Sequence, residues 1–218
     1  MSSVSKGDSN LSLNEPQTHR PPTRRPRHWQ FSLRSLLLLM VVFCVGLGLW
    51  VNHARRQKHA IDAIMKLHGF VEYAHQFPDR KWSGKRLNTA EPPGPAWLRE
   101  RLGDEYFVRV VGLQFWEEPV SDEDLAHVGV LTDLQYLSFI GGPQGPRITG
   151  TGLAHLRHLT RLRFLDLLGH PVTDDGLRHL RSLTQLETID LRNTEITDTG
   201  LEQLKRFKRL THVALDNT

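Results

Sequence analysis

The stretch ITGTGLAHL, residues 148–156, is followed by VTDDGLRHL at 172–180 and by ITDTGLEQL at 196–204. Successive copies begin 24 residues apart. A fixed period of this length, with leucine at set positions, is typical of solenoids, in which each repeat is one structural unit stacked on the next. The repeat therefore decides the expected architecture. It also favours binding over catalysis, because solenoids present extended binding surfaces.

Each repeat predicts one strand and one helix. Apolar and polar residues alternate in Leu165-Asp166-Leu167, the spacing of a strand with one buried face. Apolar residues ahead of the strands recur at helical spacing. A hydroxyl residue precedes each predicted helix, where it can cap free backbone N–H groups. These hydroxyl residues are Ser121, Thr149, Thr173 and Thr197. One unit cannot bury its apolar face alone, so the units must share a continuous core.

The pattern resembles the leucine-rich repeat family, in the 24-residue form whose turn reads T-D-x-G-L, over about residues 108–218. The resemblance implies an α/β fold: a short solenoid with parallel strands on its concave face and helices on its convex face. A degenerate first unit begins at Val110. The unit from Val120 is longer, and we expect its Gly- and Pro-rich segment 141–147 to form a surface loop. The family's asparagine column is occupied by His170, Thr194 and Thr218.

The segment from Ser35 to Val51 contains no charged residue and is dominated by Leu, Val, Met and Phe. As a helix it would span about 25 Å, close to the hydrocarbon thickness of a bilayer. Trp29 and Trp50 flank it, where interfacial aromatic residues belong. A cleaved signal peptide fits less well, because no small-x-small cleavage site follows Trp50. A buried core helix fits worse, because arginines bracket the segment. We predict an uncleaved, single-pass transmembrane helix.

The transmembrane helix divides the chain into four predicted parts. They are a disordered basic tail (1–34), the membrane helix (35–51), a juxtamembrane helix or strand with a Pro-rich connection (52–95), and the repeat domain with an amino-terminal cap helix (96–218). In the cap helix, Trp97, Leu98 and Leu102 would cover the first repeat. Lys and Arg near the membrane favour a cytoplasmic amino terminus by one charge, which places the repeats outside the cytoplasm.

The charge distribution excludes one class of partner. Residues 1–34 hold six basic and two acidic residues (+4), residues 52–101 hold ten and five (+5), and residues 102–218 hold twelve and seventeen (−5). The basic residues thus lie beside the predicted membrane helix, where anionic headgroups attract them. A nucleic-acid-binding protein would concentrate them on its folded domain. We therefore expect no nucleic-acid partner. The only cysteine, Cys44, lies in the apolar segment, so no intrachain disulfide can form.

Residues between the strand leucines would face outward on the concave side, where neighbouring strands align them in columns. The candidate protein-binding residues are Gln135, Arg163 and Glu187; Tyr136, Phe164, Thr188 and His212; and Ser138, Asp166 and Asp190. We expect Tyr136 and Phe164 to be exposed side by side, and aromatic anchors carry much of the binding energy of interfaces.

The charged members of these columns allow two readings. Arg163 and Glu187 would form a surface ion pair of small energetic value. Asp166 and Asp190 would repel each other, so a cation or a basic partner could bind between them. Because L-D-L is common in this repeat family, we favour a structural role for these aspartates.

The sequence contains no catalytic motif and one candidate column for a metal site. His127, His155 and His179 fall in one column, which could hold a transition metal or form a solvated helix face. We favour the solvated face, because the supporting partners that metal ligands need are not evident. No metalloprotease, nucleophile-elbow, Walker or dinucleotide motif is present. We expect neither an enzyme nor a bound cofactor, and no catalytic residue.

The sequence thus predicts a membrane-tethered leucine-rich-repeat module that binds a protein ligand through its concave face. The alternative is a structural protein of the cell envelope that self-associates. In that case the carboxyl-terminal strand, around Val213, would present an uncovered edge through which a homo-oligomer forms.

Overall fold

The computed structural model describes residues 33–77, 90–116, 120–140 and 147–217. The predicted tail up to residue 32, Trp29, Thr218 and residues 141–146 of the predicted loop lie outside these ranges. The chain divides into two compact units, Met1–Val42 and Phe43–Thr218. The described part of the first unit is the beginning of one helix, and its side chains are mostly exposed. The second unit contains the repeats.

Strands and short helices alternate through the repeats. The strands are β1 (Phe70–Tyr73), β2 (Val110–Trp116), β3 (Tyr136–Ile140), β4 (Phe164–Asp166), β5 (Thr188–Asp190) and β6 (His212–Ala214). The helices are α1 (Leu33–Lys66), α2 (Ala96–Leu102), α3 (Leu125–Val128), α4 (Gly150–Leu153), α5 (Asp174–His179) and α6 (Asp198–Leu204). Short 3-10 turns cover Ala74–Gln76, Asp104–Tyr106, Ala154–His158 and Leu180–Ser182.

The strands of the described chain form one sheet in the order β1-β2-β3-β4-β5-β6. Strands β2 to β6 are parallel, and their register follows the sequence repeat: Phe164 lies beside Tyr136 on one side and Thr188 on the other. Between them, the leucine positions of the repeats form one buried core. The predicted α/β class with a parallel sheet is confirmed, and so is the degenerate first unit, which forms β2. Strand β1 pairs with β2 in the antiparallel direction.

The first repeat is covered by α1, and the prediction that α2 would cover it is wrong. Trp97 and Leu102 of α2 are 66% and 41% exposed. Helix α1 continues through the predicted membrane boundary at Val51 to Lys66, and its second half has a buried face. The buried residues of this face are Ala54, Gln57, Ala60, Ile61 and Ile64. Their helical spacing places them on one side of α1, and this side supplies the apolar cover that the first repeat needs.

Consecutive helix starts are joined by aspartates. The Asp122 carboxylate accepts hydrogen bonds from Thr149 of the next repeat, from its N–H at 2.7 Å and its hydroxyl at 2.5 Å. Asp174 accepts the same pair from Thr197 at 2.9 and 2.6 Å. These bonds outweigh the burial of Asp122 and lower its pKa below the ordinary value. The carboxylates therefore link each of these repeats to the one that follows.

The predicted helix caps are present in part. Thr149 and Thr197 are N-cap residues whose hydroxyls accept hydrogen bonds from the backbone two residues later. Thr173 is an N-cap without a side-chain hydrogen bond. Asp124 is the N-cap of α3, and Ser121 caps the turn before it: the Ser121 hydroxyl accepts the Asp124 N–H at 3.4 Å and donates to the Asp124 carboxylate at 2.6 Å. The hydroxyl of the first repeat therefore stabilises the turn before the helix.

The same aspartates explain the glycine of the T-D-x-G-L turn. A Cβ placed on Gly152 would lie 2.2 Å from a carboxylate oxygen of Asp122, and a Cβ on Gly200 would lie 2.2 Å from one of Asp174. Where Gly150 replaces the aspartate, the backbones approach instead: a Cβ on Gly176 would lie 2.7 Å from the Gly150 Cα. Aspartate and glycine are thus paired between repeats.

We expect Gly200→Ala to lower the free energy of unfolding by about 1–3 kcal/mol, because the added methyl group must displace the Asp174 carboxylate. In an Asp174→Ala background the same substitution should cost less, because the carboxylate is gone. Chemical denaturation of the four proteins of this double-mutant cycle measures the difference. Equal costs in both backgrounds would contradict the proposed contact.

Candidate functional site

The sheet has one face against the helices and one open face. In β3, β4 and β5 the central side chains Leu137, Leu165 and Ile189 are fully buried in the core. Because side chains alternate along a strand, the residues on either side of them belong to the opposite face. The open face therefore carries the columns of residues that the sequence analysis selected.

Tyr136 and Phe164 are stacked on the open face, with ring centroids 4.4 Å apart and ring planes 15° from parallel. The expectation that both rings are exposed is wrong for Tyr136, which is only 7% exposed. Phe164 covers one side of it. On the other side, Glu72 of β1 extends over Gly112, where an added Cβ would lie 2.3 Å from a Glu72 carboxylate oxygen. Phe164 itself is half-buried.

Ser138 is also inaccessible, because it is fully buried. Its hydroxyl donates to Asp166 at 2.9 Å, and the Leu168 N–H donates to the other Asp166 carboxylate oxygen at 3.0 Å. Burial raises the pKa of Asp166 above its ordinary value, although these hydrogen bonds act in the opposite direction. Burial likewise raises the pKa of Tyr136. This part of the open face therefore belongs to the protein interior.

The two neighbouring aspartates are each held by groups of the same chain. Arg192 binds Asp190 through Nε, 3.0 Å from both carboxylate oxygens, and through Nη2, 2.6 Å from one of them. Asp166 is bonded to Ser138 and Leu168 as described above. These contacts support a structural role for both aspartates, which is the reading that the sequence analysis favoured.

The accessible part of the predicted site lies on β4 to β6. Arg163 and Glu187 form a bidentate ion pair with N–O distances of 3.0 and 2.7 Å, and their side chains are 43% and 33% exposed. Thr188 is half-buried and His212 is exposed. We call these residues, together with Phe164, the open-face patch. Gln135 is half-buried at the edge of this face, beside Arg163.

A cleft of about 620 Å³ opens beside Gln135, where the first strands begin. His75, Phe77, Phe107 and Arg109 line it together with repeat residues. The buried Nδ1 of His75 has no hydrogen-bond partner among the described residues, and burial lowers the pKa of its imidazole. The sequence gave no periodic signal for this cleft, because half of its lining comes from segments before the repeats.

No family model matches this sequence, and no curated protein matches it. Solved structures that resemble it include internalin C2 from Listeria monocytogenes (18% identity, TM-score 0.37) and an internalin, inlF, from the same strain (16%, 0.36). TLR13, solved in a complex with ssRNA13, also resembles it (19%, 0.32).

The matched regions cover 50%, 50% and 45% of this chain, respectively. They span about half of the internalin C2 chain (52%), and 35% and 14% of the other two. The chain itself has a repeat fold, as the register of its parallel strands and its repeated buried core show.

In this repeat fold, His170 and Thr194 occupy the column in which the sequence resemblance implies asparagine. The Thr194 hydroxyl donates to the Leu191 carbonyl at 2.6 Å. The His170 Nδ1 accepts from the Ile148 N–H at 3.3 Å, and its ring meets Phe139 edge-on at 5.6 Å. Burial lowers the pKa of His170 to about 4, so the ring is neutral at physiological pH. The side chains of both residues therefore form hydrogen bonds with the backbone of the repeats.

The histidine column lies on the helix side of the repeats. His127, His155 and His179 are all exposed. Within the described part of the chain, no group of three or more His, Cys, Asp or Glu residues is placed to hold a metal ion.

We expect Tyr136→Ala to destabilise the fold by about 3–5 kcal/mol, because a large buried ring is removed. Phe164→Ala should cost less, because that ring is partly in water. Denaturation curves of the two variants test this order. If the two variants lost equal stability, the difference in burial between the rings would be refuted.

Asp166→Asn should leave the fold equally stable or more stable at neutral pH. The folded-state pKa of Asp166 is raised, so ionisation costs stability as the pH rises from the unfolded value of about 3.9 through the folded value. Asparagine removes this cost and can still accept the Leu168 N–H. Unfolding free energies measured from pH 3 to pH 8 should diverge in favour of the variant as the pH rises, with roughly equal values at the acid end. A wild type that gains on the variant with rising pH would refute the burial effect.

Proposed function

We propose that this chain is a membrane-anchored module that binds a protein ligand through the open-face patch. The observation that carries the proposal is the exposure of the patch on three adjacent strands. It combines an aromatic ring, an arginine and a carboxylate, and Phe164 and Arg163 are of residue types enriched at protein interfaces. Parallel strands lie about 4.8 Å apart, so β4 to β6 present these side chains within the reach of one extended segment of a partner.

The support for the anchor is the amino-terminal part of α1. An 18-residue window of this helix has a mean hydropathy of 2.3, and none of that window is buried inside the fold. Phe43 and Leu49 are 69% and 66% exposed, an arrangement that is costly in water and favourable in lipid. A signal sequence passes the same test of length and composition.

The contacts of Trp50 favour an anchor that is retained. Its ring lies 5.8 Å from Tyr106 and 6.0 Å from Phe107, between ring centroids. A few residues later, Ala54 of the same helix is buried in the fold. Removal of the apolar segment would therefore break contacts of the repeat unit. With this anchor, the excess of cations on the amino-terminal side favours a cytoplasmic amino terminus and repeats outside the cytoplasm.

The anchor predicts that a chain tagged at both ends stays in the membrane fraction after an alkaline carbonate wash, with both tags on one polypeptide. Adding charges to the apolar segment, as in Leu38→Arg with Val42→Arg, should release the protein, because arginine is costly at the centre of a bilayer. The matched change Arg55→Lys should not. A mature protein lacking the amino-terminal tag would show that the segment is a cleaved signal.

The binding face is tested by photo-crosslinking in native membranes. A photoreactive phenylalanine analogue at Thr188 or His212 reports on the open-face patch. The same analogue at Thr199 or His179 is a control of matched residue type on the helix side, where both residues are exposed. We expect one adduct from the patch positions only, and its loss with the charge reversal Glu187→Arg. An adduct from the helix side alone would refute the proposed face.

A second candidate function is self-association through β6. Val213 is 41% exposed, whereas the equivalent Leu165 and Ile189 are fully buried, so β6 presents an edge with an exposed apolar residue. If this edge pairs two copies, the detergent-solubilised chain sediments as a dimer and Val213→Lys makes it monomeric. A monomer at all concentrations would eliminate this candidate.

A further inference from the structure

Helix α1 lies beside the first strand of the repeats and the residues that lead into it. Near its middle, Trp50 contacts Phe107. The Gln57 side chain donates to the Val108 carbonyl at 3.0 Å. Further along, Ile64 and Phe115 both border Gly69. The segment from Phe107 to Phe115, which includes most of β2, therefore runs along α1 from the Trp50 level to the Ile64 level, a rise of about 21 Å along the helix.

The Trp50 level is also the end of the apolar segment. The residues that follow it on α1 are polar or charged, and Arg55 and Arg56 are exposed. Tryptophan at the end of a membrane-spanning helix lies among the lipid headgroups. If the span is anchored as proposed, the rings of Tyr106 and Phe107 that pack on Trp50 lie at the membrane surface too.

Helix α2 is held at this same end of the repeat unit. Gly103 alone separates it from the turn Asp104–Tyr106. Arg99 of α2 binds Asp104 of that turn at 3.3 Å, and Glu105 of the turn forms an ion pair with Lys58 of α1. The turn therefore joins α2 to α1 between Trp50, on which Tyr106 packs, and Lys58, about 12 Å further along the helix.

The exposed side chains of α2 lack cover within the described fold. Trp97, at 66%, is the most exposed large apolar residue outside α1 among the described residues, and Leu102 is 41% exposed. Arg101, between them in the chain, is exposed as well. Arg55 and Arg56 of α1 are exposed too, and Glu100 is an exposed acidic residue beside Arg101. Aromatic and aliphatic residues interleaved with arginine suit the surface of a bilayer that contains anionic lipid.

We propose that α2 is a second membrane contact: Trp97 inserts into the headgroup region of the bilayer that α1 crosses. Arg101, one turn later on the same face of α2, and the exposed arginines of α1 bind anionic headgroups. This inference rests on the proposed anchor. The bilayer surface would then cover Trp97, which is 66% exposed in the fold.

The test uses the full chain, reconstituted into vesicles of phosphatidylcholine and phosphatidylglycerol in equal amounts. In a Cys44→Ala background the chain has no other cysteine, so single cysteines can carry an environment-sensitive nitrobenzoxadiazole label. The label is placed with Trp97→Cys, with Val45→Cys in the apolar segment, or with Trp116→Cys as the control. Trp116 is matched to Trp97 in residue type and nearly in exposure, at 56%. It follows Phe115 at the end of β2 that lies near Ile64, away from Trp50.

We expect the label at position 97 to emit at shorter wavelength than the label at position 116, and to be quenched several-fold less by aqueous cobalt ions. In vesicles of phosphatidylcholine alone, the shielding at position 97 should weaken, because the arginines lose their anionic partners.

The outcomes separate this inference from the anchor. Shielding at positions 45 and 97 but not at position 116 supports both. Shielding at position 45 with full quenching at position 97 overturns the membrane contact of α2 and leaves the anchor standing. Full quenching at position 45 overturns the anchor itself, and with it the inference. Equal protection at 97 and 116 also overturns the α2 contact, because it would reflect protection of the whole domain.

Discussion

The leucines of each repeat are buried only by the repeats on either side, and this dependence governs the rest of the structure. A single unit of a short helix and a three-residue strand has too little apolar surface to fold alone. The stack therefore needs cover where it begins. Helix α1 provides it by placing Ala60 and Ile64 against the first strand, with β1 paired along the outer edge. This contact takes the place of the neighbouring repeat that the first unit lacks.

The helix that covers the repeats is also the helix that carries the apolar segment. Its two halves differ in the distribution of apolar residues. Up to Trp50 they occur on all sides, as lipid requires, and from Ala54 onward they occupy one face, as packing against a sheet requires. If the apolar segment is an anchor as proposed, one helix both crosses the membrane and covers the first repeat. The residues that cover the repeat then follow directly after the membrane-spanning segment, and the membrane surface comes into question for α2.

The repeats are joined at their helix starts by charge as well as by apolar packing. Asp122 and Asp174 receive backbone and hydroxyl hydrogen bonds from the following repeat. Their carboxylates occupy the space that a side chain at Gly152 or Gly200 would need. Aspartate and glycine recur together in the sequence because the aspartate of one repeat packs against the glycine of the next. This packing holds neighbouring helix starts close together, while backbone hydrogen bonds set the spacing of the strands that form the open face.

The sequence by itself determined the period, the alternation of buried and open strand positions, and the apolar segment, because each is a local pattern that a few neighbouring residues specify. It also placed Arg163 beside Glu187, since register between repeats follows from the period. Three features were decided only by the tertiary structure. The cover of the first repeat came from α1, and Trp97 was left bare. Tyr136 became buried because Glu72, from an antiparallel strand outside the repeats, reaches across Gly112. The cleft at His75 joins segments that no period relates. Burial on a sheet depends on the side chains of adjacent strands, and at the edge of a repeat array those strands come from sequence that the repeat does not describe.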